Sequence, residues 1–302
     1  MTTKYGSAQE IDQRLQKLSR QSRLGGKLLG IGLLMVFGTA ILYAVLVMLA
    51  TDLLERFGAM FFVPVPVGFL MIIIGAVITS KTGRERSQIQ DAYIPIALEQ
   101  AMDRVDQFWG ATLDERYFKE ELGLPMFDEC SQSSYLKGVL RGIPLEMSCF
   151  VLKKETTKDD DNQPNYEITF SGLMIVCRHT MELKEEGFAF TQFTRLLGGM
   201  KTESEAFNKA FSIYAEGGLD VFRLLTPQYM EHLVSLPEAR EKELGVRLCQ
   251  DGTLLIVLEH RRIIVDSDDI TTGSGMVEYM ADHIRGIADT IDSLELPIQR
   301  ET

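Results

Sequence analysis

From Leu28 to Thr51 the chain reads LLGIGLLMVFGTAILYAVLVMLAT without one charged residue, and a second uncharged run extends from Phe57 to Ser80. As a helix the first run covers about 35 Å, enough for a hydrocarbon core of about 30 Å. Two such runs in succession are expected to form a transmembrane hairpin over 28–80, with spans 28–51 and 57–80. Pro64 and Pro66 lack amide donors and restrict the residues before them, so Phe62–Pro66 is not expected to be regular helix throughout. Started at Pro66, the second helix would reach only about 22 Å by Ser80. It therefore either continues past Ser80 or follows a kinked interfacial segment at 57–65. The kinked segment is the favoured reading, with Phe57, Phe61 and Phe62 near the outer interface.

Lys and Arg in the short flanks set the expected orientation. Lys4, Arg14, Lys17, Arg20, Arg23 and Lys27 precede the first run, Lys81, Arg84 and Arg86 follow the second, and the connecting turn holds Arg56 alone. Both termini are thus expected in the cytoplasm of a cell inner (plasma) membrane, in a multi-pass topology. The apolar run is too long for a cleaved signal peptide and lacks a clear small-residue cleavage site.

Charge divides the chain in the same way. The first 87 residues hold ten Lys/Arg and five Asp/Glu, which leaves 21 and 38 in the rest, a net charge of −17. A region that acidic is not expected to bind nucleic acid. Within 1–27, Ile11, Leu15 and Leu18 share one helical face while Arg14, Lys17, Arg20 and Arg23 recur every three residues on another. A basic amphipathic segment beside a span suits anionic inner-leaflet lipid. Arg14, Lys17, Arg20, Arg23, Lys27, Lys81, Arg84 and Arg86 are the candidate membrane-surface contacts, equally readable as an ordinary positive-inside signal.

Beyond Ser80, Ile89, Tyr93, Ile96, Ala101, Val105 and Phe108 recur at nearly helical spacing, a connector helix over 81–112 that starts or bends at Pro95. The remainder, 113–302, reads as a cytosolic α+β domain: a mostly antiparallel sheet with inserted and C-terminal helices. YLKGVLRG, IPLEMSCFVLKK and YEITFSGLMIVCRH are strand-like, and the polar stretch 153–165 reads as an exposed hairpin loop. Its Asp159, Asp160 and Asp161 lack the glycine and glutamate that a calcium loop requires. Thr226 is the expected N-cap of a helix with Pro227 in its first turn. Asp251-Gly252 marks a two-residue turn between strands, and residues 275–294 form a last amphipathic helix.

Phe170-Ser-Gly-Leu173, the run from Glu205 to Tyr214 and Leu224-Leu-Thr-Pro-Gln-Tyr-Met-Glu-His-Leu233 resemble an uncharacterised bacterial membrane-protein family with an N-terminal transmembrane pair and a cytosolic domain. The resemblance implies a bacterial inner-membrane protein and brings no established activity. It singles out Phe170, Gly172, Phe207, Phe211, Leu225, Thr226 and Pro227 as a possible signature groove.

Cys130, Cys149, Cys177 and Cys249 form no CxxC, and His179, His232, His260 and His283 form no HExxH or other short metal pair. Cys149 and Cys177 sit in apolar strands and read as buried hydrophobes. Thr271-Thr-Gly-Ser-Gly275 lacks the GK[ST] ending of a P-loop, and neither a GxSxG elbow nor an SxxK is present. No metal or cofactor is expected. These readings point to a membrane-anchored binding, regulatory or scaffold module facing the cytosol, with the bilayer and a protein partner of unknown kind. The alternative is a membrane-bound hydrolase assembled from distant residues, recognisable by a pocket histidine beside two carboxylates.

Overall fold

The structure, a computed structural model, describes residues 8–49, 64–119, 122–158, 164–184, 187–193, 200–215, 218–241, 243–264, 270 and 272–301. Its contacts divide the chain into two units, residues 1–96 with 266–279, and residues 97–265 with 280–302.

The first unit is built on two long helices, α1 (Ala8–Leu49) and α2 (Pro64–Ala101). Both are long and apolar enough to cross a membrane. Along α1 a seam of buried or half-buried positions runs through Leu15, Leu18, Ser22, Gly25, Leu29, Gly32, Val36 and Thr39, with Asp12, Ser19, Leu28 and Met35 also shielded beside it. In α2 they include Val65, Gly68, Ile72, Gly75, Thr79, Thr82, Arg86, Ile89 and Tyr93. Steps of three and four alternate without a break in both, which is the heptad repeat of a left-handed coiled coil. The pair is antiparallel, because Gly25 faces Gly75 and Gly32 faces Gly68. At these four positions a Cβ would stand 2.7–3.0 Å from atoms of the other helix, so backbone lies almost directly on backbone.

The second helix differs from the favoured expectation. It begins at Pro64, with both prolines in the first turn where the missing amides cost nothing, and passes Ser80 unbroken. Phe57, Phe61, Phe62, Asp159–Asp161 and the turn at 52–56 lie outside the described residues. No separate connector occupies 81–112 either. α2 absorbs it as far as Ala101 with Pro95 inside the helix, and β1 (Arg104–Phe108) follows as a strand paired with β2. Strand pairing overrode the helical spacing of Val105 and Phe108.

The second unit is α+β. Its strands are β1, β2 (Glu129–Leu140), β3 (Ile143–Lys158), β4 (Pro164–Arg178), β5 (Gly187–Thr191), β6 (Ser212–Ala215), β7 (Leu244–Cys249) and β8 (Thr253–Glu259). They form one antiparallel sheet of order β1-β2-β3-β4-β8-β7-β5-β6. Short helices α3 (Arg116–Lys119), α4 (Glu205–Ala210), α5 (Leu219–Leu224), α6 (Pro227–Ser235) and α7 (Pro237–Glu241) lie between strands. The last helix, α8 (Gly273–Ser293), starts in the first unit and ends in the second. The polar stretch at 153–165 is mostly strand: Lys154 pairs with Glu167 and Glu155 with Tyr166, so β3 and β4 continue as a two-stranded ribbon. A ribbon wet on both faces has a loop's composition.

Both faces of the sheet are buried. Residues opposite one another in register share a face. One face carries Phe150, Leu152, Phe170, Met174, Leu255 and Val257 under Leu113, Phe118 and Leu122. The other carries Met147, Ile175, Ile256, Val246 and Phe190, with Phe207 and Phe211 against Phe190. Thr226 caps α6 by accepting the Tyr229 amide, as the sequence indicates. The β7–β8 connection is one residue longer than expected, with Gly252 at φ +85° and its amide on the Cys249 carbonyl. At the β2–β3 turn Arg141 and Gly142 both have positive φ, 50° and 75°, the pair of conformations a two-residue hairpin needs.

Arg141 is held in that conformation by ion pairs to Asp289 and Asp292 of α8, and Arg300 also pairs with Asp292. Burial works to raise the Asp292 pKa, but the Arg300 and Arg141 guanidiniums outweigh it and hold the carboxyl below its ordinary 3.8. A depressed carboxylate stabilises the fold above its unfolded pKa, and the contribution disappears as pH falls through the folded value. Asp292→Asn is therefore expected to cost about 1 kcal/mol at pH 7, discounted for partial exposure. The gap in melting temperature between variant and wild type should shrink as the pH falls below the ordinary carboxylate value of about 3.9 and through the lowered one. A gap that stays unchanged through the whole acid range of the fold would dissociate Asp292 from charge pairing.

Candidate functional site

Where the uncharged runs end, the flanks of the coiled coil become polar and open a groove of about 630 Å³. Arg14, Lys17 and Gln21 form one wall, three and four residues apart along α1. Ile78, Lys81, Glu85 and Gln88 form the other with the same spacing along α2. Leu18 and Thr82, both buried in the seam, make the floor. The Thr82 hydroxyl donates to the Ile78 and Thr79 carbonyls of its own helix, so the floor offers no strong polar group. Three cations and one carboxylate leave the walls at +2 by formal charge. Among the described residues Arg14, Lys17, Lys81 and Glu85 make no side-chain hydrogen bond or ion pair.

Of the eight basic residues expected at a membrane surface, Arg14, Lys17 and Lys81 converge on this groove. Arg20, Arg23, Lys27 and Arg84 are exposed elsewhere on the same helices. Arg86 is a correction. It occupies a seam position, is only 5% exposed, and its Nη2 donates to the Ile270 carbonyl at 3.0 Å. Nearby the Gly273 amide donates to Asp12 Oδ1 at 2.7 Å, so a carboxylate of α1 caps the start of α8. The Thr-Gly-Ser-Gly run, which lacks the P-loop ending, thus serves as a helix start whose capping charge comes from another helix of the same chain. Gln21, Ile78, Glu85 and Gln88 escaped sequence reasoning. The alternating three-four spacing, followed through the glycines, was the signal that would have found them.

The signature residues do not share one groove. Phe170 and Gly172 stand on β4 with Phe150 and Phe193. Phe207 and Phe211 pack with Phe190 on the opposite face. Gly172 makes room for the Leu258 carbonyl, which would sit 2.6 Å from a Cβ. Leu225 is buried core, Thr226 is the N-cap and Pro227 the first residue of α6.

In three histidines Nε2 is occupied by the main chain: His179 faces the Cys249 carbonyl, where its Nδ1 is buried without a hydrogen bond, His232 that of Ser293, and His283 that of Arg262. His260 lies 3.7 Å from Glu259, with Glu243 close to Arg261, on an open surface where the imidazole is 69% exposed. Burial, with Glu241 next, raises the Glu243 pKa. That cluster has the charges a hydrolase would use, with the imidazole open to solvent. Burial pushes the Cys177 thiol up to about 12 and Cys130 up to about 11, so both stay protonated at neutral pH. Cys149 and Cys177 are buried, in keeping with their apolar strands. Among the described residues no group of three or more His, Cys, Asp or Glu is placed to hold a metal ion.

Residues 165–296 match the model of a family described as a protein of unknown function, DUF3137. The match agrees with the resemblance to an uncharacterised family; it starts beyond both long helices and says nothing of a transmembrane pair or of the Leu-Leu-Thr-Pro signature. No curated protein and no solved structure matches the chain.

Proposed function

We propose that the chain is a membrane-anchored binding module, in which the helical hairpin spans the inner membrane and keeps the α+β unit on its cytoplasmic side. The outward faces of the two helices carry the reading. Leu34, Phe37 and Ile41 of α1 are 61–75% exposed, and Phe69, Leu70, Ile73 and Val77 of α2 are 53–61% exposed. Only 11% and 17% of the apolar windows are buried, against the near-complete burial of a core helix in a soluble protein. A continuous apolar belt around a packed pair is what lipid, and not water, accommodates.

Tethering raises the local concentration of the α+β unit for partners at the same surface. The nine Lys/Arg in the flanks against Arg56 alone in the turn favour cytoplasmic termini. Ser87→Cys should then resist a membrane-impermeant thiol reagent in intact cells, while Asp52→Cys should react, each read against the wild-type chain. Labelling of Ser87→Cys together with silence at Asp52→Cys would reverse the orientation.

A further inference from the structure

The groove lies at the point where each helix leaves its apolar run, and it is walled by cations that nothing else in the described chain uses. We propose that it seats the headgroup of one anionic phospholipid bearing two phosphodiesters, with the acyl chains lying along the apolar outer face of α2. This rests on the membrane-spanning reading and adds a specific ligand to it.

Five observations select that ligand. The volume, about 630 Å³, falls in the range of small-molecule sites, whereas a diffuse basic surface has no cavity at all. The walls carry +2, which matches two phosphodiesters better than one. Arg14 and Lys17 stand on one helix and Lys81 on the other, so two phosphates linked by a short glycerol bridge can meet cations on both walls. Gln21 and Gln88 supply amide donors and acceptors suited to the bridge hydroxyl. Finally, the groove is graded. Ile78 closes the end nearest the membrane, and Ile73, Ile74 and Val77 continue outward from it with 43–61% exposure. A free phosphate would use the cations and leave this apolar exit unused. Arg20, Arg23, Lys27 and Arg84 add general attraction to the leaflet but are not among the wall residues.

The test uses the full chain in detergent, titrated with tetraoleoyl diphosphatidylglycerol or dioleoylphosphatidylcholine and read by native mass spectrometry. One diphosphatidylglycerol should remain bound per chain at activation energies that strip phosphatidylcholine. Lys17→Gln with Lys81→Gln should weaken retention at least tenfold, whereas Arg20→Gln with Arg84→Gln should leave it within twofold. Equal loss in both double variants would reduce the effect to general charge and overturn the proposal. So would displacement by millimolar inorganic phosphate, which would mark a free-anion site. Flotation of the same preparations with phosphatidylcholine vesicles separates the two levels. Failure to float sinks the membrane reading, while flotation without lipid selectivity sinks the headgroup site alone.

Discussion

Gly75→Leu, and Gly32→Leu likewise, should destabilise the helical hairpin by about 3 kcal/mol or more, the upper range for overpacking a tight contact. A Cβ at Gly75 would stand 2.8 Å from the Gly25 carbonyl and 2.9 Å from the Leu29 side chain; one at Gly32 would stand 2.7 Å from the Gly68 carbonyl. The obstructing atoms are mostly backbone, so no rotamer change relieves the clash and the helices must separate. Gly26 provides the internal control. It is one residue from a seam glycine, yet a Cβ there meets nothing within 4 Å. Gly26→Leu should therefore be neutral or slightly stabilising, since leucine has the higher helix propensity by somewhat under ~1 kcal/mol. Unfolding of the three variants in mild detergent, followed by circular dichroism against added sodium dodecyl sulfate, distinguishes them. Equal midpoints for Gly26→Leu and Gly75→Leu would refute the glycine seam.

Arg86→Ala should cost about 3 kcal/mol, whereas Arg84→Ala, two residues away, should stay within about 0.5 kcal/mol. Arg86 fills a seam position and donates to the Ile270 carbonyl. Its removal leaves that acceptor short of a charged donor and opens a cavity where the buried side chain stood. Arg84 is exposed and its loss exposes nothing. Melting temperatures of the full chain in detergent measure both. Similar small shifts for the two variants would return Arg86 to the surface role that its place among the flanking cations first indicated.

That contrast shows where the sequence was legible. Long uncharged runs, a threonine before a proline and an Asp-Gly pair are local signals, and the helices, the α6 cap and the β7–β8 hairpin follow from them. The heptads were less visible because glycine, serine and threonine hold many of the seam positions, so an apolar-only reading stops at Leu18 and at Ser80. Arg86 belongs to the same repeat but looked like one more positive flank residue. The sheet was legible only as class. Its order places β8 beside β4 and β7 between β8 and β5, pairings across long stretches of chain that no short window contains. That order also sends Phe170 to one face and Phe207 to the other, although both sit in motifs that read as one signature. Groove residues from two helices came together only once the antiparallel register was known.

The bond between Asp12 and Gly273 joins positions 261 residues apart, and Arg86 reaches 184 residues forward to Ile270. On a ribosome, α1 and α2 emerge long before either of those partners has been translated. The hairpin can pair its glycines early, yet the bond from Arg86 to Ile270 and that from Gly273 to Asp12 wait for the last portion of the chain. Contacts that span most of the chain form late and slowly. A nascent chain cut short before residue 270 thus lacks both bonds that tie its first two helices to the start of α8.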